Sequence, residues 1–382
     1  MTSTRSAAGE SSIYRDDAGR WHGYVSMGRA DNGRRDRRHV SGQRRADVVT
    51  KVRDLERKRD AGVSSTAGQQ VTVGGWLDHW LDTIAARRVR PSTLARYRQL
   101  VRHQLVPKLG HHRLDRLQPE QVERAYAELL AGGLSPSSVL QAHRVLSRAL
   151  KVAMQRGRVA RNVCTLVDAP TVSLEEVRPL TAAEARQVLT AAAEGRNAAR
   201  WSVAFALGLR QGEALGLPWR AVDLDAGTLT VRQALQRQAG AGLVIVEPKS
   251  RAGRRTISLP SQLVDALRSH RAAQLEERLR AGTEWQDNGL VFTQPNGRPI
   301  DPRTDHRQWQ ALLHRAGVRP ARLHDARHTA ATVMLGLGVP ARVAMQILGH
   351  SQISLTLGTY SHVMPELSED AAARVGRELF GS

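Results

Sequence analysis

Apolar residues recur at two different spacings in the first half of the chain. Between residues 12 and 40 they alternate with polar residues, which predicts three short strands, and a charged stretch from about Gln43 to Arg59 predicts a helix. From residue 71 onward the spacing becomes that of amphipathic helices. The predicted strands are Ser12–Arg15, Arg20–Met27 and Asp36–Val40, and the predicted helices are Val73–Ala86, Pro91–Gln104, Gln118–Ala131 and Ser135–Arg156.

From residue 174 the pattern is mixed, with helices on both sides of three short strands. Thr181 is a suitable N-cap for the first of these helices. The segment Pro248–Arg255 is predicted to be a hairpin turn that links the second and third strands. The predicted strands are Thr228–Gln233, Leu243–Glu247 and Arg255–Leu259, and the predicted helices are Ala182–Glu194, Ala198–Leu207, Ser261–Ala281, Pro302–Ala316, Leu323–Leu337, Pro340–Leu348, Ser351–Tyr360 and one from Pro365.

These elements predict a multidomain α+β protein with three parts. Residues 1–65 form a small N-terminal β-sheet and helix unit with a disordered start, and residues 71–158 form an all-α domain. Residues 174–382 form a mixed, mainly helical domain with a small antiparallel sheet. A stretch rich in Ser, Gly and Thr at residues 62–70 reads as the first linker.

Composition indicates a globular protein with a polyanionic partner. The 382 residues are 41% hydrophobic and carry 57 Lys+Arg against 36 Asp+Glu, a formal charge of +21. The excess is +6 in residues 1–70, +9 in residues 71–173 and +6 in the remainder. No long apolar run or secretory signal is evident, so we expect a cytoplasmic protein without a membrane span. A single cysteine, Cys164, excludes an intrachain disulfide and a cysteine-based zinc cluster.

The basic residues fall into clusters that suit a phosphate backbone. One cluster lies around the second and third strands and the start of the following helix, and the other lies before and on the second helix of the all-α segment. A solvated basic face is the alternative for the first cluster, whereas the second has little acid interspersed and favours contact with a DNA backbone. The candidate DNA-binding residues are Arg34, Arg35, Arg37, Arg44, Arg87, Arg88, Arg90 and Arg96.

Lysine is rare in this chain, since only five of the 57 basic residues are lysines. A codon bias towards arginine is one interpretation of that skew, and the suitability of the arginine fork for phosphate recognition is the other. Lys249 is nevertheless the only lysine after Lys151, and it lies in the predicted hairpin turn. This lysine is either present there by chance or required for the chemistry of the protein.

The segment His324-Asp325-Ala326-Arg327-His328 has two chemical interpretations. On a helix, His324 and His328 lie one turn apart, as in a zinc-protease helix, but the catalytic glutamate and a third ligand are missing. Alternatively, His324 and Arg327 lie on one face and present two donors to a single phosphate.

Motifs in a fixed order extend this second interpretation. Gly208-Leu209-Arg210-Gln211-Gly212-Glu213-Ala214-Leu215-Gly216-Leu217 stands upstream, and Leu348-Gly349-His350-Ser351 and Thr359-Tyr360-Ser361-His362 stand downstream. Together with the lysine turn they resemble the tyrosine recombinase (phage integrase) family, in its larger form with an arm-binding N-terminal domain. The resemblance covers the chain from about residue 12. It implies an arm-type DNA-binding domain at residues 1–65, a core-binding domain at 71–158 and a catalytic domain at 174–382.

The resemblance implies six catalytic residues. Tyr360 would attack the scissile phosphate and store the bond energy as a 3′-phosphotyrosine. Two guanidiniums would neutralise the growing negative charge, and His324 would exchange a proton with the tyrosine hydroxyl. Lys249 would protonate the departing 5′-oxygen, since arginine releases a proton reluctantly. The six residues are Arg210, Lys249, His324, Arg327, His350 and Tyr360.

Glu213 lies three residues after Arg210, where it either holds that arginine or is a surface carboxylate. We expect no metal and no other cofactor, since the sequence has no phosphate-binding loop and no carboxylate cluster suited to Mg²⁺.

The expected function is site-specific DNA recombination that integrates, and in reverse excises, a mobile element. The expected partners are double-stranded DNA attachment sites, three further copies in a homotetramer, and an excision factor or a DNA-bending host protein. The amphipathic segment from Pro365 to Phe380 would dock on a neighbouring protomer or pack on its own domain. The alternatives are a type IB-like topoisomerase, against which the N-terminal unit argues, and a non-catalytic DNA-binding regulator.

Overall fold

The computed structural model describes residues 11–29, 35–60, 71–172, 178–248, 253–349 and 377–379. The chain divides into two compact units, residues 1–174 and 175–382. Within the described residues, no helix combines the length and the apolar character needed to cross a membrane.

The first unit begins with an antiparallel sheet in the order β1-β2-β3, with one helix packed on it. Its small core forms where Val25 of the sheet meets Val48 and Val52 of the helix, and Gly23 allows this close packing because a Cβ there would lie 2.6 Å from Val52 Cγ2. The predicted sheet and helix are therefore confirmed. Their bounds are β1 Ser12–Arg15, β2 Trp21–Arg29, β3 Arg35–Gly42 and α1 Arg45–Asp60.

Helices make up the rest of this unit, around one apolar core. The predicted helix Val73–Ala86 is continuous, although it passes through a π-helical segment, Trp80–Ile84, into a 3₁₀ turn, Ala85–Arg87. The bounds are α2 Val73–His79, α3 Pro91–Leu100, α4 Val106–Leu109, α5 Pro119–Ala131 and α6 Pro136–Gln155, with 3₁₀ turns at Leu114–Arg116 and Val163–Leu166.

The helix predicted to end at Gln104 continues to Leu109, which corrects the prediction. The segment Val101–Leu105 is π-helical and leads directly into α4. Pro107 lies in the first turn of α4, where a missing amide hydrogen costs least, and the wider π turn before it absorbs the change in hydrogen-bond register. Proline is therefore accommodated here instead of ending the helix.

The second unit contains seven α-helices of five or more residues and five strands among its described residues, with 3₁₀ turns at Trp219–Ala221 and Gly282–Glu284. Thr181 caps α7 as predicted, since its hydroxyl accepts from the Glu184 amide while Glu184 accepts from the Thr181 amide. The helices are α7 Ala182–Ala192, α8 Ala198–Leu207, α9 Gln211–Leu215, α10 Ser261–Ala281, α11 Pro302–Arg315, α12 Leu323–Gly336 and α13 Ala341–Leu348. The strands are β4 Val222–Asp223, β5 Thr228–Val231, β6 Ala234–Gln238, β7 Gly242–Val246 and β8 Arg255–Ser258.

The strands of this unit form two small antiparallel sheets, in the orders β4-β5-β8 and β6-β7. The predicted hairpin between β7 and β8 is wrong, because β7 pairs with β6 across a turn at Gly240, whose φ is +79°. Strand β8 pairs instead with β5, where the buried Leu229 and Ile257 lie opposite each other. The segment that contains Lys249 therefore connects two sheets, and residues 249–252 lie outside the described ones. The predicted helices Ser351–Tyr360 and, apart from the helical residues 377–379, the one from Pro365 also lie outside them.

Helix α8 lies at the centre of the second unit and packs against α7, α10 and α12. Its Trp201 and Phe205 rings lie 5.6 and 5.8 Å from the fully buried Trp309 ring of α11. Beside them, Arg200 forms a buried ion pair with Asp305, with 3.0 Å between Nη2 and Oδ2. This core fixes the carboxyl end of α8 against the start of α12, where the candidate site lies.

Candidate active site

A sharp turn after α8 presents Arg210. Gly208 ends α8 with a φ of +58°, a left-handed conformation that glycine adopts without strain, and Arg210 then occupies the N-cap position of α9. Helix α9 can lie close to β6 because Gly212 and Gly216 lack side chains. A Cβ at Gly212 would lie 2.7 Å from Leu235 O, and a Cβ at Gly216 would lie 2.5 Å from Leu235 N.

Two groups hold the half-exposed side chain of Arg210. Its Nη1 donates to Glu213 Oε1 at 2.7 Å, and its Nη2 donates to the carbonyl oxygen of Gly349 at 2.9 Å. Glu213 Oε2 also accepts from the Arg210 amide at 3.1 Å. Glu213 is only 5% exposed, so the alternative of a surface carboxylate is wrong. Burial alone would raise the pKa of Glu213, but the guanidiniums of Arg255 and Arg210 outweigh it and lower this pKa.

A second group of side chains lies on the first two turns of α12. Asp325 is buried and accepts from the Arg322 amide at 2.7 Å. This hydrogen bond satisfies a backbone N–H that has no partner within the helix, and it fixes the first turn. Arg327 is 3% exposed, and its Nη1 donates to the carbonyl oxygen of Gly208 at 2.7 Å. The turn that presents Arg210 is therefore bonded to Arg327.

His324 lies beside both arginines. Desolvation is the largest effect that lowers the pKa of His324 to about 4. The neighbouring His328 ring and the charges of Arg327 and Arg210 lower this pKa further, whereas the Asp325 carboxylate opposes them. The His324 and His328 rings meet edge to face, with 4.9 Å between their centroids. The His324 ring is therefore neutral at neutral pH and able to accept a proton. No group of three or more His, Cys, Asp or Glu side chains suited to a metal occurs within the described parts of the chain.

The structure thus brings together three of the six residues predicted to be catalytic, namely Arg210, His324 and Arg327. Lys249, His350 and Tyr360 lie outside the described residues. The structure does describe the residue directly before Lys249, which is Pro248, and the residue directly before His350, which is Gly349. The Gly349 carbonyl bonds to Arg210, so the chain just before His350 is tied to the same cluster.

Sequence reasoning missed one residue of this cluster. Arg255 is the first residue of β8, and its 7%-exposed side chain bonds to both oxygens of Glu213, at 2.9 Å from Nη2 to Oε2 and 3.3 Å from Nη1 to Oε1. In an alternating strand Arg255 shares the inward face with Ile257. A charge in phase with the inward-facing Ile257 is a sequence signal from which a buried partner could have been inferred, although it does not say which partner.

The arginines predicted to bind DNA lie at the surface wherever they are described. Arg37 lies over the Tyr24 ring, 5.1 Å from its centroid, and Arg96 bonds to Gln99 and Gln141. Arg34 lies outside the described residues, as does the side chain of Arg35. The exposed ones are Arg37, Arg44, Arg87, Arg88, Arg90 and Arg96.

The sequence matches two known protein families. Residues 178–366 match the Phage integrase family, and residues 72–130 match the N-terminal SAM-like domain of phage integrases. An integrase of Saccharopolyspora erythraea is 42% identical over 99% of both chains, and a XerC-like tyrosine recombinase of Caldanaerobacter subterraneus is 29% identical over 91% of this chain and 93% of its own. The chain belongs to the phage integrase family, and it is a tyrosine-type site-specific recombinase, an enzyme that cleaves and rejoins DNA strands.

Solved structures show the same fold. The Tn1549 transposon integrase in complex with transposon right end DNA is 21% identical, with a TM-score of 0.67 over 81% of this chain and all of its own. A λ integrase dimer bound to a COC′ core site is 17% identical, with a TM-score of 0.57 over 91% of this chain and 94% of its own. The mixed, mainly helical fold with small antiparallel sheets is thus the fold of integrases.

Proposed function

We propose that this recombinase cleaves DNA through a 3′-phosphotyrosine formed at Tyr360. The hydroxyl oxygen of Tyr360 attacks the scissile phosphorus, and the bond from phosphorus to the 5′-oxygen breaks. The free 5′-hydroxyl later attacks the phosphorus of the same phosphotyrosine, or of the phosphotyrosine on a partner strand. The bond from phosphorus to the tyrosine oxygen then breaks, which restores a phosphodiester and releases the tyrosine hydroxyl. Because the bond energy is stored in the protein–DNA bond, the reaction needs no ATP, and because two guanidiniums neutralise the phosphate, it needs no metal ion.

The observation that carries this proposal is the convergence of Arg210, His324 and Arg327. Two guanidiniums beside a neutral imidazole suit a phosphate whose negative charge grows in the transition state. The His324 ring is neutral in the free protein, and the negative charge of a bound phosphate offsets the nearby arginines and restores the basicity with which the ring takes the proton of the attacking tyrosine.

Lys249 and His350 complete the proposed set. Lys249 donates a proton to the departing 5′-oxygen, and His350 donates a hydrogen bond to a phosphate oxygen. Support for the position of His350 comes from Gly349, whose carbonyl bonds to Arg210.

A suicide substrate tests this mechanism. The attachment site is first selected from random-sequence duplexes that the protein binds, and a nicked duplex of that sequence then traps the covalent adduct. We expect an adduct with the wild type, in EDTA and without ATP, and none with Tyr360→Phe. An adduct with Tyr360→Phe, or none with the wild type, contradicts the mechanism. A 5′-bridging phosphorothiolate, which needs no protonation on leaving, should restore cleavage by Lys249→Ala.

We further propose that residues 1–65 and 71–158 are the arm-type and core-binding DNA-binding domains, and that residues 174–382 are the catalytic domain. The face of the N-terminal sheet opposite α1 supports the first assignment. It carries a row of rings, in which His22 and His39 lie 5.0 Å apart and Tyr24 and His39 lie 4.7 Å apart, with Arg37 stacked on Tyr24. Such a flat, basic and aromatic face suits a DNA groove. Arg37→Ala should weaken binding to the arm site and leave binding to the core site unchanged.

The proposed assembly is a homotetramer on two double-stranded attachment sites in the cytoplasm, with an excision factor or a DNA-bending host protein setting the direction. A type IB-like topoisomerase would use the same chemistry without exchanging partners. Incubation with two differently labelled attachment duplexes distinguishes the recombinase from the topoisomerase. A recombinase yields hybrid products, whereas a topoisomerase only relaxes supercoils. A non-catalytic regulator would form no adduct at all.

A further inference from the structure

Glu213 is shared by two arginines from different parts of the second unit. Oε1 accepts from Arg210 Nη1 and Arg255 Nη1, and Oε2 accepts from the Arg210 amide and Arg255 Nη2. The carboxylate is buried, so its charge interacts with both guanidiniums through little water. A substitution of either arginine therefore changes the position and charge balance of the carboxylate that holds the other.

Arg255 also binds the end of α13. Its Nε donates to the carbonyl oxygen of Ile347 at 2.6 Å, two residues before the Gly349 carbonyl that Arg210 binds. The last turn of α13 is thus held by two arginines that converge on one carboxylate. Free carbonyls at a helix carboxyl end attract cations, which strengthens both contacts.

The position of Arg255 in the chain adds a third connection. It is the first residue of β8, directly after the segment that carries Lys249, and the β5–β8 pairing holds its backbone, with Val231 opposite Arg255. Arg255 therefore joins the exit of the lysine segment, the carboxylate that holds Arg210 and the helix end that leads to His350.

We propose that Arg255 is a positioning residue for DNA cleavage, which aligns Arg210 and the end of α13 before His350 through its bonds to Glu213 and Ile347. This inference rests on the roles proposed above for Arg210, Lys249 and His350. Arg255 does not contact the reacting phosphate in this scheme. It acts by holding Arg210 and the helix end in place, and a displacement of about 1 Å in such a group costs about 100-fold in rate.

The adjacent Arg254 is a matched control. It has the same charge and lies one residue earlier, but its half-exposed side chain pairs with the exposed Glu247 at 2.7 Å and is not bonded to Glu213. A general effect of removing one positive charge from this loop would appear in both variants, whereas loss of positioning would appear only at Arg255.

The experiment measures single-turnover cleavage of the suicide substrate at saturating full-length protein, together with DNA affinity and thermal unfolding. We expect Arg255→Gln to lower the cleavage rate constant about 100-fold while the Kd changes less than about threefold. Arg255→Lys keeps the charge but not the forked geometry, so its rate constant should fall by about tenfold. Arg254→Gln should retain the wild-type rate constant.

The phosphorothiolate substrate separates positioning of the whole cluster from an effect on Lys249 alone. The thiolate leaving group restores Lys249→Ala, but it should leave Arg255→Gln slow, because Arg210 stays displaced from the phosphate. Full restoration of Arg255→Gln would overturn the proposal.

A purely structural role predicts a different result. If Arg255 only stabilised the fold, its variants would melt at a lower temperature but would cleave with the wild-type rate constant once the folded protein saturates the DNA, and that outcome overturns the proposal. Arg255→Lys decides the question if Arg255→Gln does not fold. Failure of the wild type to form an adduct, or an adduct with Tyr360→Phe, would instead refute the mechanism at Tyr360.

Discussion

Arg327 on α12 donates a hydrogen bond from Nη1 to the carbonyl oxygen of Gly208, at 2.7 Å. Gly208 lies two residues before Arg210, so this bond joins the two arginines that would flank the scissile phosphate. The bond also explains the glycine, because the left-handed turn directs the carbonyl oxygen towards α12 and the missing side chain leaves room for Leu348 of α13.

Gly208→Ala should therefore disturb the site as well as the fold. A Cβ at this position would lie 2.5 Å from Leu348 Cδ2, and the positive φ would add strain of about 1–3 kcal/mol. We expect a lower melting temperature and a cleavage rate constant at least about tenfold lower, because Arg327 loses its fixed acceptor. Gly240→Ala is the control, since φ there is +79° but a Cβ would meet nothing within 4 Å. Equal effects of the two substitutions on cleavage would contradict this account.

Asp305 should be essential for the stability of the second unit. It is fully buried and pairs with the 1%-exposed Arg200, and it also accepts from Gln211 Nε2 at 3.0 Å. Asp305→Ala leaves a buried guanidinium without its counter-charge, which costs about 3–5 kcal/mol. Urea unfolding measures this loss. Asp225→Ala removes an exposed partner of Arg268 and should leave the free energy of unfolding nearly unchanged. A loss at Asp305 as small as that at Asp225 would refute the prediction.

Most of the helices could be predicted because their start signals are local. Thr181 with Glu184, and proline at the first position of α5, α6 and α11, act within one turn of the chain. The sequence motifs likewise identified Arg210, His324 and Arg327 as neighbours. These features depend on residues close together in the sequence or on a pattern shared with a family.

The pairing of strands could not be predicted in the same way. Strand β6 alternates only weakly between apolar and polar residues, with Gln236 and Arg237 at its centre, and its pairing with β7 depends on the glycine turn between them. Arg255 was missed because its partners Glu213 and Ile347 are distant in sequence and meet only when α9, β8 and α13 pack together.

Cys164 should react with thiol reagents only when the first unit unfolds. The side chain is 3% exposed, and burial raises the pKa of its thiol to about 12, so the reactive thiolate is scarce at pH 8. We expect labelling by a disulfide reagent to be about 1000-fold or more slower in the native protein than in urea. Ser92→Cys adds a thiol at an exposed position of α3 and should react at once with one equivalent. Rapid labelling of the wild type would show that Cys164 is accessible.

The lowered pKa of His324 should make the free enzyme sensitive to mild acid. In the unfolded chain this group has a pKa near 6.5, and in the folded protein its pKa is about 4. Between these values the unfolded state binds more protons, so the stability conferred by the neutral ring is fully present above about pH 6.5 and is lost as the pH falls towards 4. His324→Asn removes this contribution, so its melting temperature should fall less between pH 7 and pH 5 than that of the wild type. Parallel melting curves of the two proteins across that range would show that desolvation and the nearby arginines do not suppress protonation of His324.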